Sequence, residues 1–163
     1  MDKEKIIHRD DDPSVYTCVH EFKKLHQRFI DKKTVHTAAV LMKDLWQNHA
    51  LFYYLATAPY LEIGLHGWEH KDYSKLTYEE CYNDILMSLH YWKENSDRML
   101  HKHGTVVLSK EIKIFFAPWN RDGYNIRAAC EDLGLEFCNV KGGRWKGYII
   151  KSFHHWSADN LKI

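Results

Sequence analysis

Short apolar runs that end in polar knots, with helical stretches between them, constrain this chain most. Lys5–Arg9 leads through Ile6-Ile7 into Asp10-Asp11-Asp12-Pro13, and Tyr60–Leu65 ends at His66. Ile112–Phe116 is closed by Ala117-Pro118-Trp119-Asn120, and Tyr148–Phe153 ends at His154. Runs of this length and composition read as strands, as do Thr34–Met42 and Glu136–Val140. Between them lie helical patterns. Pro13-Ser14 is expected to open a helix on which Val15, Val19, Phe22, Leu25 or His26 and Phe29 share a face. A second helix is expected from about Asp44 to Thr57, stopped by Ala58-Pro59. Thr77-Tyr78-Glu79-Glu80 has the form of a capping box and starts a long helix to about Met99. Asn125–Leu133 is a last helix, ended by Gly134, and Lys141-Gly142-Gly143-Arg144 reads as a turn. Alternating strands and helices predict an α/β fold with a largely parallel sheet, within one domain spanning 1–163. In such folds the carboxyl ends of the strands build the active site, and here the polar knots fall at those ends.

Composition narrows the function classes. Lys plus Arg number 23 against 22 Asp plus Glu, and no basic run stands out, so a nucleic-acid partner has no support. No apolar segment is long enough to span a membrane and no apolar leader follows the charged Met1–Lys5, which points to a cytoplasmic protein, or one released by lysis. The four cysteines, Cys18, Cys81, Cys130 and Cys138, form no Cys-x-x-Cys pair and read as buried reduced thiols. Six Trp and ten Tyr, many beside polar residues, suit sugar binding as well as core packing.

The chemistry is concentrated in Ile63-Gly64-Leu65-His66-Gly67-Trp68-Glu69-His70. Two imidazoles so spaced can reach one ion, and an aspartate from Asp10-Asp11-Asp12 adds an oxygen. Two histidines, one carboxylate and an open position make a catalytic zinc arrangement, in which the bound water's pKa falls to roughly 7. A neighbouring aspartate can serve as general base, His154 as acid, and backbone N–H groups around Pro118-Trp119 can meet an oxyanion. One divalent ion is expected; zinc suits the donors best, while cobalt or nickel fit the same set.

The order and wording of these motifs resemble the NodB-homology polysaccharide deacetylases, carbohydrate esterase family four, over nearly the whole chain. His8-Arg9-Asp10-Asp11-Asp12-Pro13 stands where the family has Thr-Phe-Asp-Asp-Gly-Pro. That match implies Asp10 as general base and Asp11 as metal ligand, with His66 and His70 completing the triad. Phe116-Ala117-Pro118-Trp119 matches the last two positions of the family's Arg-x-Pro-Tyr/Trp. It makes Trp119 a groove wall and oxyanion donor beside Pro118. Ser152-Phe153-His154 matches Leu-x-His in its histidine, with His155 as the alternative acid. Phe116 occupies the place of the family arginine that pairs with the base, and Arg9 and Arg121 are the candidates to replace it. Gly67 replaces a hydroxyl residue, and Trp145 alone stands for the family's Asp-Trp element.

The resemblance implies a distorted, incomplete (β/α) barrel that removes N-acetyl groups from an N-acetylglucosamine-containing glycan. Two other readings are a catalytically impaired glycan- or partner-binding module on the same fold, and a hydrolase of another small amide.

Overall fold

The computed structural model describes residues 5–102 and 109–154. Seven strands run in the order β5-β4-β3-β2-β1-β7-β6. They are β1 (Lys5–Asp11), β2 (His36–Val40), β3 (Leu61–Leu65), β4 (Ile114–Phe116), β5 (Glu136–Cys138), β6 (Gly142–Trp145) and β7 (Tyr148–His154). All neighbours pair in parallel except β6 with β7, which form an antiparallel hairpin. The sheet curls into a nearly closed barrel, as the distorted (β/α) barrel expectation required. Four helices cover it: α1 (Val19–Asp31), α2 (His49–Thr57), α3 (Tyr78–Lys102) and α4 (Tyr124–Asp132).

Period-two alternation sorts each strand's side chains between two cores. Ile7, Ala39, Phe116, Cys138 and Ile150 pack together inside the barrel. Ala38, Val40, Ile63 and Leu65 pack outward with Phe22, Phe52, Ile85 and Trp92 from the helices. Each such large apolar side chain contributes about 1.5–3 kcal/mol on burial. Gly64 permits the tight inner packing: a Cβ there would lie 2.5 Å from the Phe116 ring.

Local signals account for several boundaries. α1 buries Phe22, Leu25, His26 and Phe29, one face at helical spacing. The capping box at α3 forms: Glu80 accepts from the Thr77 backbone N–H at 2.8 Å, and the Glu80 N–H meets Thr77 Oγ1 at 3.3 Å.

Four expectations change, among them the start of α2, which begins at His49 after a short 3-10 turn over Leu45–Gln47 rather than at about Asp44. α1 begins at Val19 rather than at Pro13-Ser14. Residues 12–18 form a loop instead, in which Ser14 N–H bonds to Thr17 Oγ1 and Asn48 Nδ2 donates to the carbonyls of Val15 and Thr17. The turn expected at Lys141–Arg144 holds strand β6, because Tyr148–His154 needs a hairpin partner at the sheet edge. Among the cysteines, Cys81, Cys130 and Cys138 are buried thiols, whereas Cys18 is exposed. Among the described residues no helix is long and apolar enough to cross a membrane.

Candidate active site

At the carboxyl end of β1 the chain leaves the sheet through Asp12, whose φ is +69°. Aspartate tolerates this left-handed conformation better than most residues. The turn aims its carboxylate at the loop after β3: Asp12 Oδ1 lies 3.2 Å from His66 Nε2 and 3.5 Å from His70 Nε2. His66 Nδ1 sits 2.7 Å from the Phe116 carbonyl, which can only accept. The ring proton therefore lies on Nδ1, and Nε2 turns a lone pair toward Asp12. Asp12 Oδ1 is buried without a hydrogen-bond partner. Asp12, His66 and His70 each offer one ligand atom, all within 4.8 Å of one another. A lone pair on His66 Nε2, with His70 Nε2 beside it and a carboxylate oxygen that lacks a hydrogen-bond partner, fits a divalent cation.

The surrounding electrostatics agree. Burial works to raise the Asp12 carboxyl, but the His66 ring beside it, with His70 and His154, holds it below its ordinary value. Burial is the main cause that lowers His70, which favours the neutral imidazole a ligand must be.

Strand parity places the neighbouring aspartates, and here the structure departs from the reading of the first motif. Arg9 and Asp11 share the inner face with Ile7, whereas His8 and Asp10 point outward beneath α1. Asp10 was expected as the base facing the metal. Its Oδ2 is instead 3.6 Å from His36 Nε2, in a buried group where the His36 and His26 Nδ1 atoms are 3.0 Å apart. Asp11, expected beside the two histidines, pairs with the Arg9 guanidinium, and Asp12 occupies the expected ligand position. The three consecutive aspartates thus differ in partner: Asp10 faces His36, Asp11 faces Arg9 and Asp12 faces the two loop histidines.

Arg9 is fully buried. It also donates to Asn120 Oδ1 at 2.9 Å and the Val140 carbonyl at 3.2 Å, and its guanidinium lies 4.8 Å from the Phe116 ring centre. The Arg9 guanidinium therefore packs against the buried Phe116 side chain. Arg121 instead pairs with Asp72 on the surface and lies over Trp119. Burial raises the Asp11 carboxyl, with Arg9 and His66 opposing it.

The remaining expected residues divide. His154 lies opposite Asp11 in the β1–β7 register, with Nδ1 3.4 Å from both Asp12 Oδ2 and the Asp11 carbonyl. His155 lies outside the described residues. Pro118 is buried, and the half-exposed Trp119, at φ +52°, sets its ring edge-on to His70 at 4.2 Å. Trp145 pairs with Tyr148, at the other end of β7, roughly 20 Å from His154 at strand spacing. It lines a cavity of about 760 Å³ with Ile7, Leu61, Ile63 and Tyr148, and none of Asp12, His66 and His70 lines that cavity.

No family model matches the sequence, and no curated protein matches it. Solved structures do. A family 4 carbohydrate esterase from Bacillus anthracis has a TM-score of 0.72 at 17% identity, covering 97% of this chain and 70% of that one. A family 4 carbohydrate esterase from Streptomyces lividans, in complex with acetate, has a TM-score of 0.70 at 12% identity, covering 96% and 81%. The fold is that of the NodB-homology deacetylases. A CE4 family pseudoenzyme from Bacillus anthracis shares it too, with a TM-score of 0.63 at 9% identity; the match covers 83% of this chain but 43% of that one. On this NodB-type fold, strand ends bring the β1 carboxylates, the β3 histidines and the β7 histidine to one mouth.

Proposed function

We propose that this chain is a metal-dependent hydrolase that removes N-acetyl groups from an N-acetylglucosamine-containing glycan. The observation that carries the reading is the convergence of Asp12, His66 and His70 around an orphaned carboxylate oxygen. Arg9–Asp11 and His154 adjoin the same mouth.

Asp12, His66 and His70 would hold one divalent ion, zinc by donor type. When bound, such an ion supplies Lewis acidity and makes a water deprotonable near neutral pH. Asp11 is the base that takes the proton, replacing Asp10 in that role, and Arg9 fixes its orientation. The raised Asp11 pKa brings the base toward its working pH. His154 is the acid that protonates the departing amine. Trp119 walls the groove beside His70 and offers its backbone N–H to the developing oxyanion.

The test is acetate release from N-acetylglucosamine oligomers by the zinc- or cobalt-loaded protein. His66→Ala and His70→Ala should abolish both metal binding and release, and Asp11→Asn should abolish release while metal still binds. Glycan binding without turnover under every metal would identify a binding module instead. Turnover of small amides alone would identify a different amidohydrolase.

A further inference from the structure

The two histidines of the cluster are held very differently. His66 is fixed by the sheet: its backbone N–H bonds to Val40 O at 2.9 Å and its ring to Phe116 O. His70 follows in an irregular loop, with its side chain 30% exposed. Its position depends on what holds residues 67–71. One side of that loop is tied to the chain after β2, where Met42 N–H meets Gly67 O at 3.1 Å and Lys43 N–H meets Trp68 O at 2.9 Å. The other side is tied to α3 through a single buried carboxylate, Asp84. Asp84 Oδ1 accepts from Trp68 N–H at 3.0 Å and from the Tyr73 hydroxyl at 2.5 Å, and Oδ2 accepts from Lys71 Nζ at 2.9 Å. The Trp68 N–H also reaches the Tyr73 hydroxyl, at 3.2 Å.

Gly67 completes this arrangement. Its φ is +105°, and a Cβ there would come within 2.2 Å of the Tyr73 hydroxyl oxygen. The Tyr73 side chain thus occupies the room a side chain at position 67 would need. Tyr73 itself is 1% exposed and stacks edge-on against Phe115, which roots it in the core.

We infer that Asp84 and Tyr73 are positioning residues that hold His70 in register with His66 and Asp12, so that cation affinity at the cluster depends on the α3 carboxylate. Burying a carboxylate is costly unless its hydrogen bonds are complete. Here the three donors to Asp84 come from positions 68, 71 and 73, which flank His70 in sequence. The carboxylate therefore ties α3 to the ligand-bearing loop rather than to a distant part of the core. This inference rests on the metal-binding reading above.

The experiment measures Co(II) affinity by chelator competition, the Co(II) absorption spectrum, and the Tm of the metal-free protein. It compares wild type, Tyr73→Phe, Asp84→Asn and, as a control, Ile85→Val, which trims a fully buried core side chain beside Asp84. Tyr73→Phe and Asp84→Asn should lower Co(II) affinity about ten- to a hundred-fold, the range for residues that support metal ligands, and alter the spectrum. Ile85→Val should lower Tm and leave affinity within about two-fold, as expected of a small core cavity. If Asp84→Asn does not fold, Tyr73→Phe decides. Wild-type protein that binds no Co(II) overturns the metal reading itself. Wild-type binding with both variants unchanged, or with Ile85→Val equally impaired, overturns the positioning role alone.

Discussion

Replacing Arg9 by Met tests whether a buried guanidinium organises the barrel mouth. Methionine keeps an unbranched apolar stem of similar length but removes every donor. Asp11 then loses its ion pair at a position only 7% exposed, and Asn120 Oδ1 and the Val140 carbonyl lose the hydrogen bonds they accept from Arg9. Breaking a buried pair from one side costs about 3–5 kcal/mol. For 163 residues the entropy of unfolding is roughly 0.34 kcal/mol per degree, so a loss of ~4 kcal/mol lowers Tm by about 12 °C. The pH dependence supplies the sharper signature. Burial already raises the Asp11 carboxyl, and Arg9 is the first group opposing that rise. Without Arg9 the folded state retains a proton that the unfolded state releases, so stability falls as pH rises through the interval between the two pKa values. The deficit of Arg9→Met relative to wild type should therefore be larger at pH 7 than at pH 5. Urea denaturation of both proteins at the two pH values measures it. A deficit under about 1 kcal/mol at pH 7, or one that grows on acidification, would refute the reasoning.

Other perturbations bear on separate parts of the molecule. Gly67→Ser forces a side chain into a positive-φ position against the Tyr73 hydroxyl; a loss of about 1–3 kcal/mol is expected in thermal denaturation, with weakened Co(II) binding. Burial lowers His8 and His26 to about 4, so the unfolded chain takes up protons first as pH drops below 6.5. Stability contributed by the neutral rings is complete above pH 6.5 and declines toward pH 4; urea midpoints should fall over that interval, and the His26 ring resonances should titrate near its lower end. Thr77→Ala removes the cap of α3 and should cost about 1 kcal/mol, read as a shift in the urea midpoint without loss of metal binding.

Much of the site was legible because strand ends announce themselves. An apolar run closed by His66, with His70 in the same loop, placed two imidazoles on one rim before any coordinates. The helical spacing of Phe22, His26 and Phe29, and the Thr77–Glu80 cap, located α1 and α3 for equally local reasons. The aspartate register was harder. Three consecutive acids offer no compositional distinction, and only the inward or outward sense of β1 separates Asp11 from Asp10. Arg9 and Arg121 were not distinguishable by composition; their partners differ because Arg9 is buried against Phe116 beside Asp11 while Arg121 pairs with Asp72. The Asp84–Tyr73 support left no trace at motif level, because Asp84 lies on a helix well beyond the loop it binds.

Local patterning alone determined the alternation of elements, the strand ends that carry polar groups and the histidine pair, since each follows from residues within a turn or two of one another. Tertiary structure decided which aspartate meets those histidines, which arginine enters the barrel and what braces the loop between them. Those outcomes depend on strand parity, the left-handed turn at Asp12 and the packing against Phe116, which become definite only when distant segments pack together.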